Sequence, residues 1–411
     1  MPATRYLPVV RLFRSREPGA DRVAFIELFF DLVFVFAVTQ LSHHLIEHVT
    51  FRGALETLVM LVAVWWVWIY TTWVTNWMNP EKGPVRWMLI ALMLAGLVLS
   101  TAIPYAFDDR GLQFALAYLV MQVGRTVFVV VSYRLIGEQE AALNLTRITI
   151  WFVYSAPFWI GGALIGGDLQ LVLWSVALAI ELSAPAVRYW VPGIKASPIE
   201  SWQVAGGHMS ERAGLFMILA LGESIIVTGT LFSRSEITTS TVLALLAAFV
   251  GTILFWLLYF SHGAEHGNRF ISASEQTGRI ARLTYTYLHM VLVGGVVLLA
   301  VGDDLVLAHP DDPLDAATNA IVVAAAALYL LGNLLFKRSI GRPWLRSHLL
   351  GMAALTALWA LAPLVPGMTP LALTWIVNGI VALVVVIDEY VWPSDEEAER
   401  EAQEAADSVE I

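Results

Sequence analysis

The side chains best suited to chemistry lie in the first long apolar segment, AFIELFFDLVFVFAVTQLSHHL at positions 24–45. This segment is long enough to cross a bilayer. Its two acids, Glu27 and Asp31, have the i, i+4 spacing that puts both carboxylates on one face of a helix. An isolated charge in hydrocarbon costs roughly 2.5 kcal/mol or more even on insertion scales. We therefore expect the two acids to be paired, protonated or hydrated, and they are the first candidates for function.

Ionisable side chains recur at a similar depth in other apolar segments. With a rise of 1.5 Å per residue, the offsets from flanking arginines place Asp31, Arg125 and Glu223 roughly 13 to 16 Å from the cytoplasmic end. The same conversion places Glu181 and His289 roughly 10 Å from that end. The sequence thus predicts a polar layer in the cytoplasmic half of the membrane. With Arg125 as its only fixed cation, the layer is net acidic and favours a cation or bound protons.

Helical periodicity groups further polar residues with this layer. At 100° per residue, Arg212 shares a face with Glu223, and Tyr285 shares another with His289. Each of these faces would carry polar groups from the cytoplasmic end to the middle of the membrane.

The elements that must position these residues are membrane-spanning helices. The chain has 411 residues, of which 58% are hydrophobic and 14% charged, whereas a soluble domain is nearer a quarter charged. Windows of about 20 apolar residues predict twelve spans: 24–45, 55–76, 87–106, 112–133, 148–166, 169–187, 212–232, 239–261, 283–302, 316–336, 345–363 and 370–391. The predicted fold is therefore all-α and polytopic, with the lipid bilayer as its first partner.

The basic residues predict the orientation of these spans. With twelve spans both termini lie on one side, and that side carries twenty of the 24 lysines and arginines. The other side carries Arg52, Arg110 and Arg234, and Arg125 lies within a span. An excess of lysine and arginine marks the cytoplasmic side. We expect the bacterial inner membrane, with both termini in the cytoplasm.

Matching positions in the two halves of the chain predict an internal repeat. Trp174 and Tyr189 have the same spacing as Trp375 and Tyr390 near the end of the chain. An even number of spans per half gives two parallel repeats. The predicted organisation is a basic N-terminus (1–23), a first six-helix repeat (24–190), a linker (191–211), a second repeat (212–392) and an acidic tail (393–411).

Several other classes of site are not expected. The chain has no cysteine, so a disulfide framework and cysteine-based metal or nucleophilic sites are excluded. No phosphate-binding or dinucleotide motif is present. We therefore expect no catalytic site, no cofactor, no metal and no nucleic-acid partner. A run of small residues at Gly162 and Gly166 suits close helix contact, either within the chain or in a homo-oligomer.

Three segments carry a family resemblance. The segments ELFFDLVFVFAVTQLSHH in the first span and ERAGLFMILALGESIIVTG in the seventh resemble the bacterial low-temperature-requirement A (LtrA) family, and YTYLHMVLVGGVVLLAVG in the ninth fits that family as well. The resemblance covers nearly the whole chain and implies a multi-pass membrane protein named after a growth phenotype in the cold. Its motifs fall on seven residues of this chain: Glu27, Asp31, Arg212, Glu223, Ser224, Tyr285 and His289.

The first span is also distantly similar to the FSD-motif potassium channels of lysosomes and bacteria. The matching residues run from Phe29 to Phe34 around Asp31, although Phe30 stands where the motif has serine. The similarity implies six-helix repeats whose first helix lines a pore.

Three interpretations of the polar layer follow. The first is a secondary permease or channel-like conductor for a cation, whose movement could be coupled to protons. Asp31 and Glu223 would be its gating or coupling carboxylates, Arg125 their counter-charge and His289 a proton relay. The second is that the buried charges only hold helices together, in a structural factor that supports growth at low temperature. The third is a membrane-embedded enzyme, for which the sequence shows no nucleophile or oxyanion donor.

Overall fold

The computed structural model describes residues 12–14, 22–197, 205–261 and 282–390, with side chains to residue 388. Over these ranges the fold is all-α, and extended pairing is confined to isolated bridges. The helices are α1 (Phe25–Glu47), α2 (Phe51–Trp77), α3 (Gly83–Ala102), α4 (Gly111–Leu135), α5 (Gln139–Ile165), α6 (Gly167–Ser183), α7 (Gly206–Phe232), α8 (Thr239–Phe260), α9 (His289–Ala308), α10 (Ala316–Ser339), α11 (Arg346–Leu361) and α12 (Pro370–Tyr390).

The predicted polytopic fold is confirmed. Eleven of the helices in the described ranges are long and apolar enough to cross a membrane. The predicted sixth span corresponds to α6, which has 17 residues. The basic N-terminal segment lies mostly outside the described residues, and the acidic tail lies wholly outside them. The internal repeat stays a prediction.

Helix α1 exposes its apolar face and buries its polar face, as a membrane helix does. Its exposed face is apolar, with Phe25 90% exposed and Phe29 60% exposed. Its buried face carries the polar groups Glu27, Asp31 and Ser42. In water this arrangement would bury charge and expose hydrocarbon, but in a bilayer the exposed side chains meet lipid. The polar side of α1 must therefore find its partners inside the protein.

The chain divides into two compact units, and α2 is the central helix of the first. This unit contains α1 to α6, α7 as far as Ala220, and the chain from the π-helical turn Arg282–Leu288 to Met290. In α2, 94% of the most apolar window is buried, so its tryptophans are core residues here. Trp65, Trp66 and Trp68 are almost completely enclosed.

Close packing around small residues shapes both units. In the first, a Cβ on Gly162 would lie 2.7 Å from the Trp174 ring, so this glycine serves a contact within the chain. The second unit contains α8, α10, α11 and α12 with the remaining parts of α7 and α9. There a Cβ on Gly295 would lie 2.9 Å from Tyr329. The absence of a side chain lets α9 and α10 approach closely.

Helix α10 begins at a side-chain cap that can be tested. Asp315 accepts hydrogen bonds from the backbone N–H groups of Ala317 at 2.8 Å and Thr318 at 3.0 Å. Partial burial raises the pKa of this carboxyl, but the bonds from the Thr318 hydroxyl and from the two N–H groups outweigh it and lower the pKa. The cap therefore stabilises the fold when Asp315 is ionised.

We predict that Asp315→Ala lowers the free energy of unfolding by about 1 kcal/mol, the usual value of an N-cap. Asp311→Ala, which removes an exposed charge from the same loop, is the control and should change little. Because the folded pKa is depressed, the contribution is complete above the pKa of the unfolded aspartate and disappears as the pH falls through the folded value. Unfolding in detergent at several pH values measures both effects. Equal behaviour of the two variants at neutral pH would contradict the cap.

Candidate functional site

Glu27 is held by three basic side chains in the first unit. Its Oε2 lies 2.8 Å from Nη2 of Arg14, and its Oε1 lies 2.9 Å from both Nε2 of His208 and Nη1 of Arg212. The backbone N–H of Ala24 also donates to Oε2, at 2.8 Å. Every oxygen of this buried carboxylate is therefore satisfied, and more than once.

Asp31, one turn further along α1, is only half satisfied. Its Oδ1 accepts hydrogen bonds from Nη2 of Arg212 and, at 2.8 Å, from the indole N–H of Trp68. The second oxygen, Oδ2, is buried and has no hydrogen-bond partner among the residues that the structure describes. The whole side chain is enclosed, with an exposure of 0%. Arg212 thus bridges the two acids of α1, with one nitrogen on each.

The first two turns of α7 and the end of α2 position this group. His208 and Arg212 are four residues apart on α7, so they face the equally spaced acids of α1. Asn76 orients His208, with Nδ2 lying 3.2 Å from Nδ1 of the imidazole. The hydroxyl of Thr75 accepts a bond from Nη1 of Arg212 at 3.3 Å. We call Arg14, Glu27, Asp31, His208 and Arg212 the α1–α7 cluster.

The α1–α7 cluster corrects the expected charge balance. Two carboxylates face two guanidinium groups, so the cluster is neutral when His208 is neutral, and Arg125 is not its cation.

The sequence interpretation assigned Arg212 to the cytoplasmic end of a span that starts at 212. The helix begins at Gly206 instead, because the polar residues of its first turns pair with groups inside the protein. Arg212 consequently lies fully enclosed in the second turn.

Arg125 and Glu181 belong to a separate buried network. Arg125 donates to the carbonyl of Val67 at 3.1 Å, to Thr71 at 3.0 Å and to Gln122. Gln122 donates to the hydroxyl of Tyr118 at 3.1 Å. In the described part of the chain Arg125 forms no ion pair. The prediction that it pairs with Asp31 is wrong, because α2 and α4 supply neutral acceptors for both of its Nη atoms.

Glu181 forms the other end of this network and is held by neutral donors. The hydroxyl of Tyr118 donates to its Oε2, while Ser155 at 2.6 Å and the indole of Trp159 at 3.0 Å donate to Oε1. A carboxylate that accepts several hydrogen bonds can remain buried without direct contact with a cation. The network links α4, α5 and α6 at their buried faces.

Tyr285 and His289 lie together at a π-helical turn. The turn spans Arg282–Leu288, so the spacing of 100° per residue does not apply there. The two rings have their centroids 5.0 Å apart, and Nδ1 of His289 lies 2.8 Å from the carbonyl oxygen of Thr284, five residues earlier. Both side chains are buried, as their shared face predicts.

Glu223 and Ser224 belong to the part of α7 that lies in the second unit. Glu223 is half-buried, and Ser224 is buried. The hydroxyl of Ser224 lies 3.5 Å from Oδ2 of Asp303. The predicted span 283–302 ends before Asp303, but the residue lies within α9 and is 4% exposed. The apolar run that continues to Ala308 is the signal that could have placed it inside the helix.

Comparison with known proteins found a matching family model and a similar bacterial protein. The family model described as bacterial low temperature requirement A protein (LtrA) matches residues 22–386. An uncharacterized protein of Rhizobium meliloti (strain 1021) is 40% identical over 380 residues, which cover 92% of this chain and 91% of the relative. No solved structure matches.

We predict that Arg212→Gln lowers the free energy of unfolding by about 3–5 kcal/mol, because it leaves a buried carboxylate without its cation. Asp31→Asn with Arg212→Gln should cost clearly less than the sum of the two single changes, since the double variant removes both charges. Arg86→Gln, at an exposed position, is the control and should stay within about 0.5 kcal/mol. Unfolding titrations in mixed micelles measure all four variants. Additive single effects would contradict a direct Asp31–Arg212 interaction.

A second variant tests the network around Glu181. We predict that Tyr118→Phe lowers the free energy of unfolding by about 1–3 kcal/mol, because Glu181 loses one of its donors and Gln122 loses an acceptor. Tyr154→Phe removes a hydroxyl from a side chain that is 45% exposed and should be nearly neutral. The same unfolding titration compares the two. A neutral Tyr118→Phe would show that water replaces the lost donor.

Proposed function

The chain belongs to the bacterial low temperature requirement A family, and we propose that it is a secondary permease or channel-like conductor for a small cation, with a proton-linked step at Asp31. One observation carries the proposal: Oδ2 of this enclosed carboxylate has no hydrogen-bond partner in the described part of the chain. A buried acceptor without a donor is costly. A proton or a small cation at Oδ2 removes that cost.

The arrangement of Arg212 supports a reversible step at Asp31. Arg212 uses one nitrogen for Glu27 and the other for Asp31. When Asp31 takes up a proton, its attraction for Arg212 weakens, while Glu27 still holds the guanidinium. The contact between α1 and α7 at Asp31 can then loosen without exposing an unpaired arginine. Proton binding would in this way shift the balance between two packing states of the first unit.

The remaining residues of the polar layer take secondary roles in the proposal. Glu223 would be a second coupling carboxylate, and His289 would relay protons at the π-helical turn. Arg125 and Glu181 would hold α2, α4 and α6 together. The distribution of basic residues supports the bacterial cytoplasmic membrane with both termini in the cytoplasm. No catalytic step is proposed, and homo-oligomer formation stays a prediction.

A structural role is the second candidate, and the saturation of Glu27 favours it. Three basic side chains and a backbone N–H converge on that carboxylate, which is more than a mobile coupling group needs. In this account the α1–α7 cluster holds the first unit together during growth in the cold and conducts nothing. The two candidates differ in what Asp31→Asn removes.

We predict that proteoliposomes with the wild-type chain carry a cation or proton flux under imposed potassium, sodium or pH gradients, and that Asp31→Asn reduces it at least tenfold. The amide can neither release a proton nor attract a cation, although it keeps the shape of the side chain. Asp311→Asn, which removes an exposed carboxylate, is the matched control and should keep the flux.

The same assay separates the candidates. Size-exclusion profiles and unfolding curves establish that each variant is folded before reconstitution. Unchanged flux in folded Asp31→Asn would contradict a coupling role for this residue. No flux in the wild type under any of the gradients, together with a loss of stability in Asp31→Asn, would favour the structural candidate.

A further inference from the structure

A short extended segment, residues 12–14, packs against the ends of α2 and α4 in the first unit, and we call it the N-terminal strap. Its middle residue, Phe13, forms an antiparallel bridge with Met78, which follows α2. Two backbone hydrogen bonds of 2.9 and 2.7 Å flank this bridge. The ring of Phe13 also packs on Tyr133 of α4, with 4.5 Å between the ring centroids. The strap is therefore fixed to two helices without being part of a helix.

The last residue of the strap, Arg14, is the outermost side chain of the α1–α7 cluster. It is 10% exposed, whereas the side chains of the other four members are 0% exposed. Each nitrogen of its guanidinium group has an oxygen acceptor. Nε donates to the carbonyl of Thr75 at 2.7 Å, Nη1 to the carbonyl of Arg22 at 3.0 Å and Nη2 to Glu27 at 2.8 Å. The strap thus places a cation between the buried acids of α1 and the outside of the protein.

The cluster can lose Arg14 without leaving an oxygen of Glu27 unpaired. Oε1 keeps its contacts with His208 and Arg212, and Oε2 keeps the backbone N–H of Ala24. The charge does change, because two carboxylates then face one guanidinium group, which leaves one negative charge when His208 is neutral. A negative site that opens to water attracts cations.

We propose that the N-terminal strap is a removable plug over a cation-binding position at the edge of the α1–α7 cluster. In the closed state the guanidinium group of Arg14 occupies this position. Because the strap lies outside the helices, it can detach locally while the helices keep their packing. In the open state a small monovalent cation from water takes the position beside Glu27, one helical turn from Asp31. The proposal rests on the proposed function, to which it adds an entrance and its closure.

Labelling of a single thiol tests whether the strap opens. The chain has no cysteine, and Met78 is fully buried at the strap, so Met78→Cys supplies one thiol that the strap covers. N-ethylmaleimide should modify this thiol slowly, and at least tenfold faster when Arg14→Ala is added. Arg86→Ala removes an exposed arginine and should leave the rate unchanged. An unchanged rate with Arg14→Ala overturns the proposal.

A second thiol position separates opening of the strap from unfolding of the protein. Ala115 is buried near the start of α4, whereas the strap packs near the end of that helix. Ala115→Cys should stay unreactive with and without Arg14→Ala. If Arg14→Ala accelerates both thiols equally, the first unit unfolds as a whole and the strap is not a separate plug.

Ethylguanidinium chloride tests the cation-binding position, because it carries the atoms that Arg14→Ala removes. It should raise the unfolding temperature of the purified full-length Arg14→Ala variant saturably, and more than potassium chloride at equal ionic strength. The wild type, in which Arg14 fills the position, should show no such rise. Glu27→Gln added to Arg14→Ala should abolish the rise, since the carboxylate acceptor is lost. Equal responses of Arg14→Ala and the wild type to ethylguanidinium would contradict the position.

A reversible lock tests whether the strap controls flux. The hydrogen bonds of the bridge join the neighbours of Phe13 and Met78, so these two form a non-hydrogen-bonded pair. The Cα atoms of such a pair lie about 4.5 Å apart, which a disulfide can span. Oxidised Phe13→Cys/Met78→Cys should carry at least tenfold less flux in proteoliposomes than the same protein after reduction. Each single variant should not respond to the reductant.

The outcomes of the lock separate the strap from the proposed function. Equal flux in the oxidised and reduced double variant, with flux in the wild type, overturns the plug and leaves the proposed function standing. No flux in the wild type contradicts the proposed function, and the labelling and ethylguanidinium measurements then decide the strap without it.

Discussion

The requirement that charge inside a bilayer be neutralised governs the structure of the first unit. Glu27 and Asp31 lie on the buried face of α1, and phenylalanines cover its lipid-facing side. Neither acid can reach water, so the cations must come from elsewhere in the chain. Arg212 bridges both acids, and this bond ties α1 to α7 across more than 180 residues of sequence. The polar turn that starts α7 is consequently part of the interior.

The buried acids differ in how completely their oxygens are satisfied by hydrogen-bond donors. Glu27 has two guanidinium partners, while Glu181 has three neutral donors and needs no adjacent cation. Asp31 has a cation on one oxygen, with the other oxygen unpartnered within the described ranges. Within the described residues, Asp303 accepts one long hydrogen bond, from the hydroxyl of Ser224. A buried acceptor without a donor is costly, and the proposed proton-linked step at Asp31 follows from that cost.

The sequence predicts the spans and the importance of Glu27 and Asp31, because hydropathy and helical spacing are local properties. It does not predict that Arg212 is their partner. A hydropathy window excludes the polar residues that begin α7, so the helix appears to start after them, and Arg212 appears to be a loop residue. Asp303 is misplaced for the same reason. Which donor meets which acceptor depends on packing between distant helices, and Arg125 shows that a buried cation can find neutral partners instead.

Infrared difference spectroscopy of the reconstituted protein tests the central claim most directly. Acidification should produce the carbonyl stretching band of a protonated carboxyl group while the amide bands show that the helices remain intact. We predict that this band contains a component that disappears in Asp31→Asn and persists in Asp311→Asn. If wild type and Asp31→Asn give the same carboxyl band until the protein unfolds, Asp31 remains locked to Arg212 as a structural ion pair, and the proposed proton-linked step is contradicted.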